Sequence, residues 1–197
     1  MKIISNIVAL SLIGLFFFSS AQGAPHAPDH SGQEGRQIKS LSGKDIHQLK
    51  QGKGWGLAKV AELNGLPGPA HVLMLKKEIS LSLDQEAKIQ ALYDEMKKKA
   101  IPLGYRLVAL EKELNESFAN RTITKERLTQ QLDLISNVRK ELRYVHLVTH
   151  VMTPQILTTQ QISEYNRLRG YYKIDPCKNI PRGHDVVMWK KHNDCSR

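Results

Sequence analysis

The chain has 197 residues, of which 24% are charged, and carries a formal net charge of +10. That length fits one domain with unstructured ends, and beyond the first two dozen residues no stretch is apolar enough to cross a bilayer. The basic excess calls for anionic counterparts, but the N-terminus reads as an export signal, which removes nucleic acid from the expected partners and leaves anionic clients, lipid headgroups or cell-wall polymers.

Met1-Lys2, an apolar run from Ile3 to Phe18 and then Ser19-Ser20-Ala21-Gln22-Gly23 have the form of a secretory signal peptide. Ala21 and Gly23 suit the −3 and −1 positions of a cleavage site, with Ser19 and Ala21 as the second choice. Residues 1–23 are therefore set apart from the fold, and the mature protein is expected in the periplasm. With no cysteine near the cleavage point, a lipid anchor there is not expected.

Residues 24–56 read as a flexible N-terminal segment. Pro25, Pro28 and the glycines around them break any pattern, and only Lys44 to Lys50 carries a weak helical one. The cluster Gly52-Lys53-Gly54-Trp55-Gly56 invites comparison with a phosphate-binding loop. No strand pattern precedes it and no Gly-Lys-Ser/Thr ends it, so a hinge is the expectation.

Residues 57–171 form the helical domain. A short helix is predicted over 57–64, stopped by Asn64-Gly65, and Pro69 opens another reaching about Glu78, with Val72, Leu75 and Ile79 on one side and His71 and Met74 on a neighbouring face. Leu81-Ser82-Leu83-Asp84-Gln85 is then a capping box: the Ser82 hydroxyl accepts from the third amide of the helix, and Gln85 reaches back to the amide of the cap. Ile89, Leu92, Met96, Ala100, Leu103, Leu107, Leu110, Leu114 and Phe118 follow at spacings of three or four, a stripe no strand could use. Pro102 and Gly104 predict a kink within it. At 1.5 Å per residue this helix would run roughly 50 Å, too long for a compact monomeric bundle of this size.

Ala119 to Thr122 predicts a tight reversal and Thr124 a cap for the return helix, whose stripe is Leu128, Leu132, Ile135, Val138, Leu142, Val145 and Met152. Near Pro154 that helix ends, and Leu157-Thr158-Thr159-Gln160-Gln161 repeats the capping phrase, with Leu157 and Ile162 at the two places of a hydrophobic staple. The last helix turns Ile162, Tyr165 and Leu168 inward and stops at Gly170. The fold class is thus all-α, a long kinked helical hairpin flanked by short helices. Residues 172–197 form a tail holding Cys177 and Cys195, the only cysteines. One local disulfide is the plain expectation in an oxidising compartment, and a metal knuckle completed by His184 and His192 is the alternative.

Two residues on the return helix could carry chemistry. His146 and His150 stand four apart on one face and could share a metal ion such as zinc, copper or nickel, completed by His71 or by a dimer partner; otherwise they border the core or a groove. Leu147, Val148 and Thr149 lie between them, so the Glu of a zinc-protease helix is missing. A Gly-x-Ser-x-Gly elbow, a Ser-x-x-Lys pair and a cysteine beside a base are all lacking, so the chain is not expected to be an enzyme, and no cofactor is expected to be required.

Two phrases of the form Leu-Ser/Thr-x-x-Gln framing a helical hairpin behind a signal peptide resemble the Spy/CpxP-like family of exported proteins, defined by a repeated Leu-Thr-x-x-Gln motif. Ser82 replaces Thr in the first copy, and Gln85 and Gln161 are present in both. The resemblance covers roughly Pro69 to Tyr171. It implies a periplasmic, all-helical, intertwined and curved homodimer that holds unfolded or misfolded envelope proteins without ATP, or that acts as an adaptor to an envelope-stress sensor protein. A related branch comprises periplasmic heavy-metal sensors with His and Met four apart before the second motif. Those positions are Thr149 and Thr153 here, and the second member of the pair expected on the first helix, four residues after His71, is Leu75.

Overall fold

A computed structural model describes residues 30–171, 177–178, 180, 182–193 and 195. The predicted signal peptide and residues 24–29 lie outside the described residues. Two compact units are distinguished, 1–34 and 35–197, and everything below belongs to the second. Apart from a single bridge between Ile38 and Leu41, the described residues contain no β-structure. No helix among them is long and apolar enough to cross a membrane.

The helices are α1 (Gly43–Lys50), α2 (Lys59–Glu62), α3 (Pro69–Met74), α4 (Leu83–Ala119), α5 (Lys125–Met152), α6 (Thr159–Leu168) and α7 (Val186–His192), with a 3-10 turn, Thr153–Gln155, after α5. The all-α reading of the sequence is correct, and α4 and α5 form its long hairpin. At the reversal Arg121 takes a left-handed backbone conformation (φ +55°). Thr122 donates to the Ser117 carbonyl and Arg121 to that of Phe118, a helix stop that glycine more often supplies. The Thr124 hydroxyl then caps α5 by accepting from the Arg127 amide. α4 runs unbroken through Pro102, where the Lys98 carbonyl loses its usual donor.

The expectation of a flexible segment over 24–56 fails for its second half. Ser42 and Asp45 close a capping box that starts α1. Ile38, Leu41 and Leu49 are all buried, in one core with Met96, Ala100, Leu107 and Leu110 of α4 and Ile135, Leu142 and Val145 of α5. The reason lies in the partner helix. Gly104 gives α1 a place to cross: a Cβ there would stand 2.0 Å from the Leu49 carbonyl oxygen. Gly52, at φ +60°, lies against α4 as well: a Cβ there would stand 3.0 Å from the Ile101 side chain.

The hydrophobic stripes are shorter than the sequence suggests. Phe118, Leu132, Met152 and Leu168, all expected inward, are exposed. Near the tip of the hairpin, the Asn115 side-chain oxygen accepts from the Lys39 amide. α3 also ends sooner than predicted. Ser80 (φ +52°) closes the chain after it, with Leu81 donating back to the Lys76 carbonyl. A second core, built by Val72, Ile79, Ile89, Leu157 and Tyr165, joins α3 and α6 to the start of α4.

Candidate functional site

Both capping boxes exist. Ser82 accepts from the Gln85 amide and Thr158 from the Gln161 amide, and each Gln side-chain oxygen accepts from the amide of its own cap. Leu81 and Leu157 belong to the second core, Leu157 buried within it and Leu81 packed against it. The repeat does something more than start helices. Gln85 Nε2 donates to Gln161 Oε1 (2.8 Å), and Gln161 Nε2 donates to Gln85 Oε1 (2.9 Å). Each amide nitrogen also donates to a carbonyl two residues before the other cap, Gln85 to Ile156 (2.9 Å) and Gln161 to Ser80 (3.2 Å). The two motifs thus clasp one another in a local twofold arrangement, and all the donors and lone pairs of both amides are engaged.

A cavity of about 480 Å³ opens between the Gly52–Gly56 turn, α3, α4 and α5. His71, His146 and His150 all line it, with Trp55, Tyr93, Met74, Met96 and Glu62. Glu62 is the centre of its polar side, and the sequence reading did not single it out. Its Oε1 accepts from Tyr165 (2.5 Å), His71 Nδ1 (3.0 Å) and Tyr171 (3.1 Å), and Arg169 Nε lies 3.3 Å away. Burial raises the pKa of such a carboxyl, but the hydrogen bonds from His71 and Tyr165 outweigh it and lower the pKa to about 2. Burial followed by the Glu62 charge pushes the Tyr165 phenol well above its ordinary value, so it stays a donor.

The histidines have separate employments. The His150 Nδ1 hydrogen is donated to the Leu66 carbonyl (2.8 Å), while its opposite edge meets Gly68, where a Cβ would come within 2.4 Å of Nε2. His146 Nε2 is buried without a partner. Burial, reinforced by His150, lowers the His146 pKa from 6.5 to about 4, so the ring is neutral. The three-histidine metal set anticipated from the sequence is accordingly not assembled. The rings share a cavity, but among the described residues no three His, Cys, Asp or Glu side chains are grouped to hold a metal ion. Two of the three Nδ1 atoms are already committed, one to a carboxylate and one to a carbonyl.

At the far end of the chain Cys177 and Cys195 form a disulfide, with Cα atoms 5.4 Å apart. The loop it closes contains α7, which lies within the residues expected to form a tail. His184 stacks edge-on against Trp189 there. No family model, curated protein or solved structure matches the chain.

Proposed function

We propose that the protein is a periplasmic, ATP-independent holder of unfolded or damaged envelope proteins, acting as a homodimer or as an adaptor to an envelope-stress sensor. The observation that carries this reading is the outer surface of the hairpin. Tyr105, Phe118, Leu132, Leu134, Tyr144 and Val151 all stand exposed on α4 and α5, in a chain with a net charge of +10. Separate apolar side chains among cations give contacts that are individually weak, so a client is held without being trapped. The positive field draws unfolded chains with acidic segments from a distance. Nothing in such a device requires a nucleotide or a metal. The metal-responsive alternative would need a ligand set that His71, His146 and His150 do not form.

An aggregation assay tests the reading. The mature protein, added to an unfolding client at low ionic strength, is expected to suppress light scattering, and the effect should weaken as salt screens the charges. Undiminished client aggregation at a several-fold molar excess would remove it.

A further inference from the structure

Trp55 occupies a conformation that large residues avoid: its backbone φ is +42°, between Gly54 and Gly56. Several contacts hold it there. The indole N–H donates to Asp45 (2.9 Å), the same carboxylate that closes the α1 capping box, and the Arg139 guanidinium lies over the ring at 5.4 Å from its centre. A strained residue fixed this firmly suggests that the ring is placed for use.

What the ring faces gives the use. A cleft of about 690 Å³ runs between Trp55 and α5, with Tyr144 on its other wall and Arg139, Lys140 and Arg143 along it. Its lining contains three cations and no carboxylate. Arg139 is partly committed, with Glu111 at 4.0 Å, but among the described residues neither Lys140 nor Arg143 has a carboxylate partner. A second cleft of about 590 Å³ shares Lys140 and Tyr144 and adds Lys99 and the carboxylate of Glu141, so the cleft beside Trp55 is the one without an acidic side chain. Tyr144 beside Lys140 and Arg143, two cations without a carboxylate partner among the described residues, matches a ligand with a flat or saturated ring and a dianionic group attached to it.

We infer that the cleft between Trp55 and Tyr144 binds a phosphorylated sugar, whose ring packs on Tyr144 beside the Arg139-capped indole while Lys140 and Arg143 take its phosphate. Phosphate suits the site better than carboxylate because it brings nearly two charges to Lys140 and Arg143 and accepts the forked donors of arginine. The volume falls in the range that encloses a small ligand of one or two rings. The inference is separable from client holding: Tyr144 belongs to both surfaces, but the phosphate contacts of Lys140 and Arg143 concern the cleft alone.

Calorimetric titration of the wild-type protein with glucosamine 1-phosphate tests it. Saturable binding is expected, weakened at least tenfold in Lys140→Ala/Arg143→Ala and several-fold in Tyr144→Ala. All three side chains are exposed, so far-UV circular dichroism should be unchanged. A Trp189→Phe background leaves Trp55 as the only indole and should show a saturating fluorescence change with the same midpoint. Phosphatidylcholine vesicles with and without lipid A ask whether the sugar phosphate can also be presented on a lipid. Binding only to the lipid A vesicles, lost in the double variant, would support the site and assign a membrane source. Absence of binding to both probes overturns the inference. So does equal binding of inorganic phosphate or a tetraglutamate peptide, which would reveal a general anion surface.

Discussion

The side-chain amides of Gln85 and Gln161 lie face to face and exchange hydrogen bonds of 2.8 and 2.9 Å across 76 positions of sequence. Each also holds its own helix cap and reaches a carbonyl ahead of the other cap, so two helix starts are fixed by one pair of residues.

Gln85→Ala should therefore cost more than a lost cap. It leaves one Gln161 donor, one Gln161 acceptor and the Ile156 carbonyl without their partners, and unsatisfied groups cost about 1–3 kcal/mol when buried. These groups are part-buried, so a loss of about 2 kcal/mol is expected in urea unfolding. Gln161→Ala should behave alike. Because the two share their bonds, the double variant should lose less than the sum of the singles by at least about 0.5 kcal/mol. Strict additivity would mean that the amides do not act as a pair.

Gly104→Ala probes the crossing of α1 over α4. With the Leu49 carbonyl oxygen 2.0 Å from the new Cβ, the methyl group has no space unless α1 lifts away. Overpacking of a well-filled core costs about 1–3 kcal/mol, and here the obstacle is backbone, which cannot rotate aside. A loss at or above the upper end is expected in urea unfolding. Proteolysis should newly cut between Leu49 and Trp55. Exposed Gly35→Ala, with nothing near its Cβ, is the control and should change neither.

How far the sequence disclosed this arrangement depended on the range of the forces involved. The capping boxes at Ser82 and Thr158, the Thr124 cap and the stops at Gly65 and Gly170 were legible because they are decided within a few residues. The docking of Ile38, Leu41 and Leu49 was not. Their apolar residues are sparse, and the feature that receives them is the absence of a side chain at Gly104, which as a sequence signal suggested only a kink. Glu62 was passed over for a related reason. It looks like one more charge on a short helix, and its partners His71, His150, Tyr165 and Tyr171 come from four other places in the chain. The histidines at 146 and 150 were visible as a pair, but their spacing could not reveal that Leu66 and Gly68 occupy the two edges of His150.

Arg139 offers a second view of the Trp55 loop. Arg139→Ala removes the cation from the indole face while leaving the Asp45 hydrogen bond in place. A stacked pair of this kind contributes about 0.5–1 kcal/mol at a partly exposed site. A small stability loss of that order is expected, together with greater acrylamide quenching of Trp55 in the Trp189→Phe background. Unaltered quenching would show that Arg139 does not cover the ring.

Acid should weaken the fold in two stages, the upper tied to His146 and the lower led by Glu62, with Asp45, held low by its Ser42 hydrogen bond, acting in the same direction. His146 is neutral in the folded protein with a pKa near 4, against 6.5 unperturbed. Between these values the unfolded chain takes up a proton that the folded one refuses. Stability is therefore full above pH 6.5 and falls as the pH drops toward 4, by a total on the order of 3 kcal/mol. Glu62 acts lower down: its folded pKa near 2 lies below the unperturbed 4.5, so the stability its charge confers is present above 4.5 and lost as the pH falls toward 2. Urea midpoints measured at pH 7, 5.5, 4 and 3 should decline throughout. His146→Gln should flatten the upper part of that curve and leave the lower part, while Glu62→Gln should do the reverse from a lower starting stability. A wild-type midpoint that does not change between pH 7 and 4 would show that the imidazole of His146 is not buried in its neutral form.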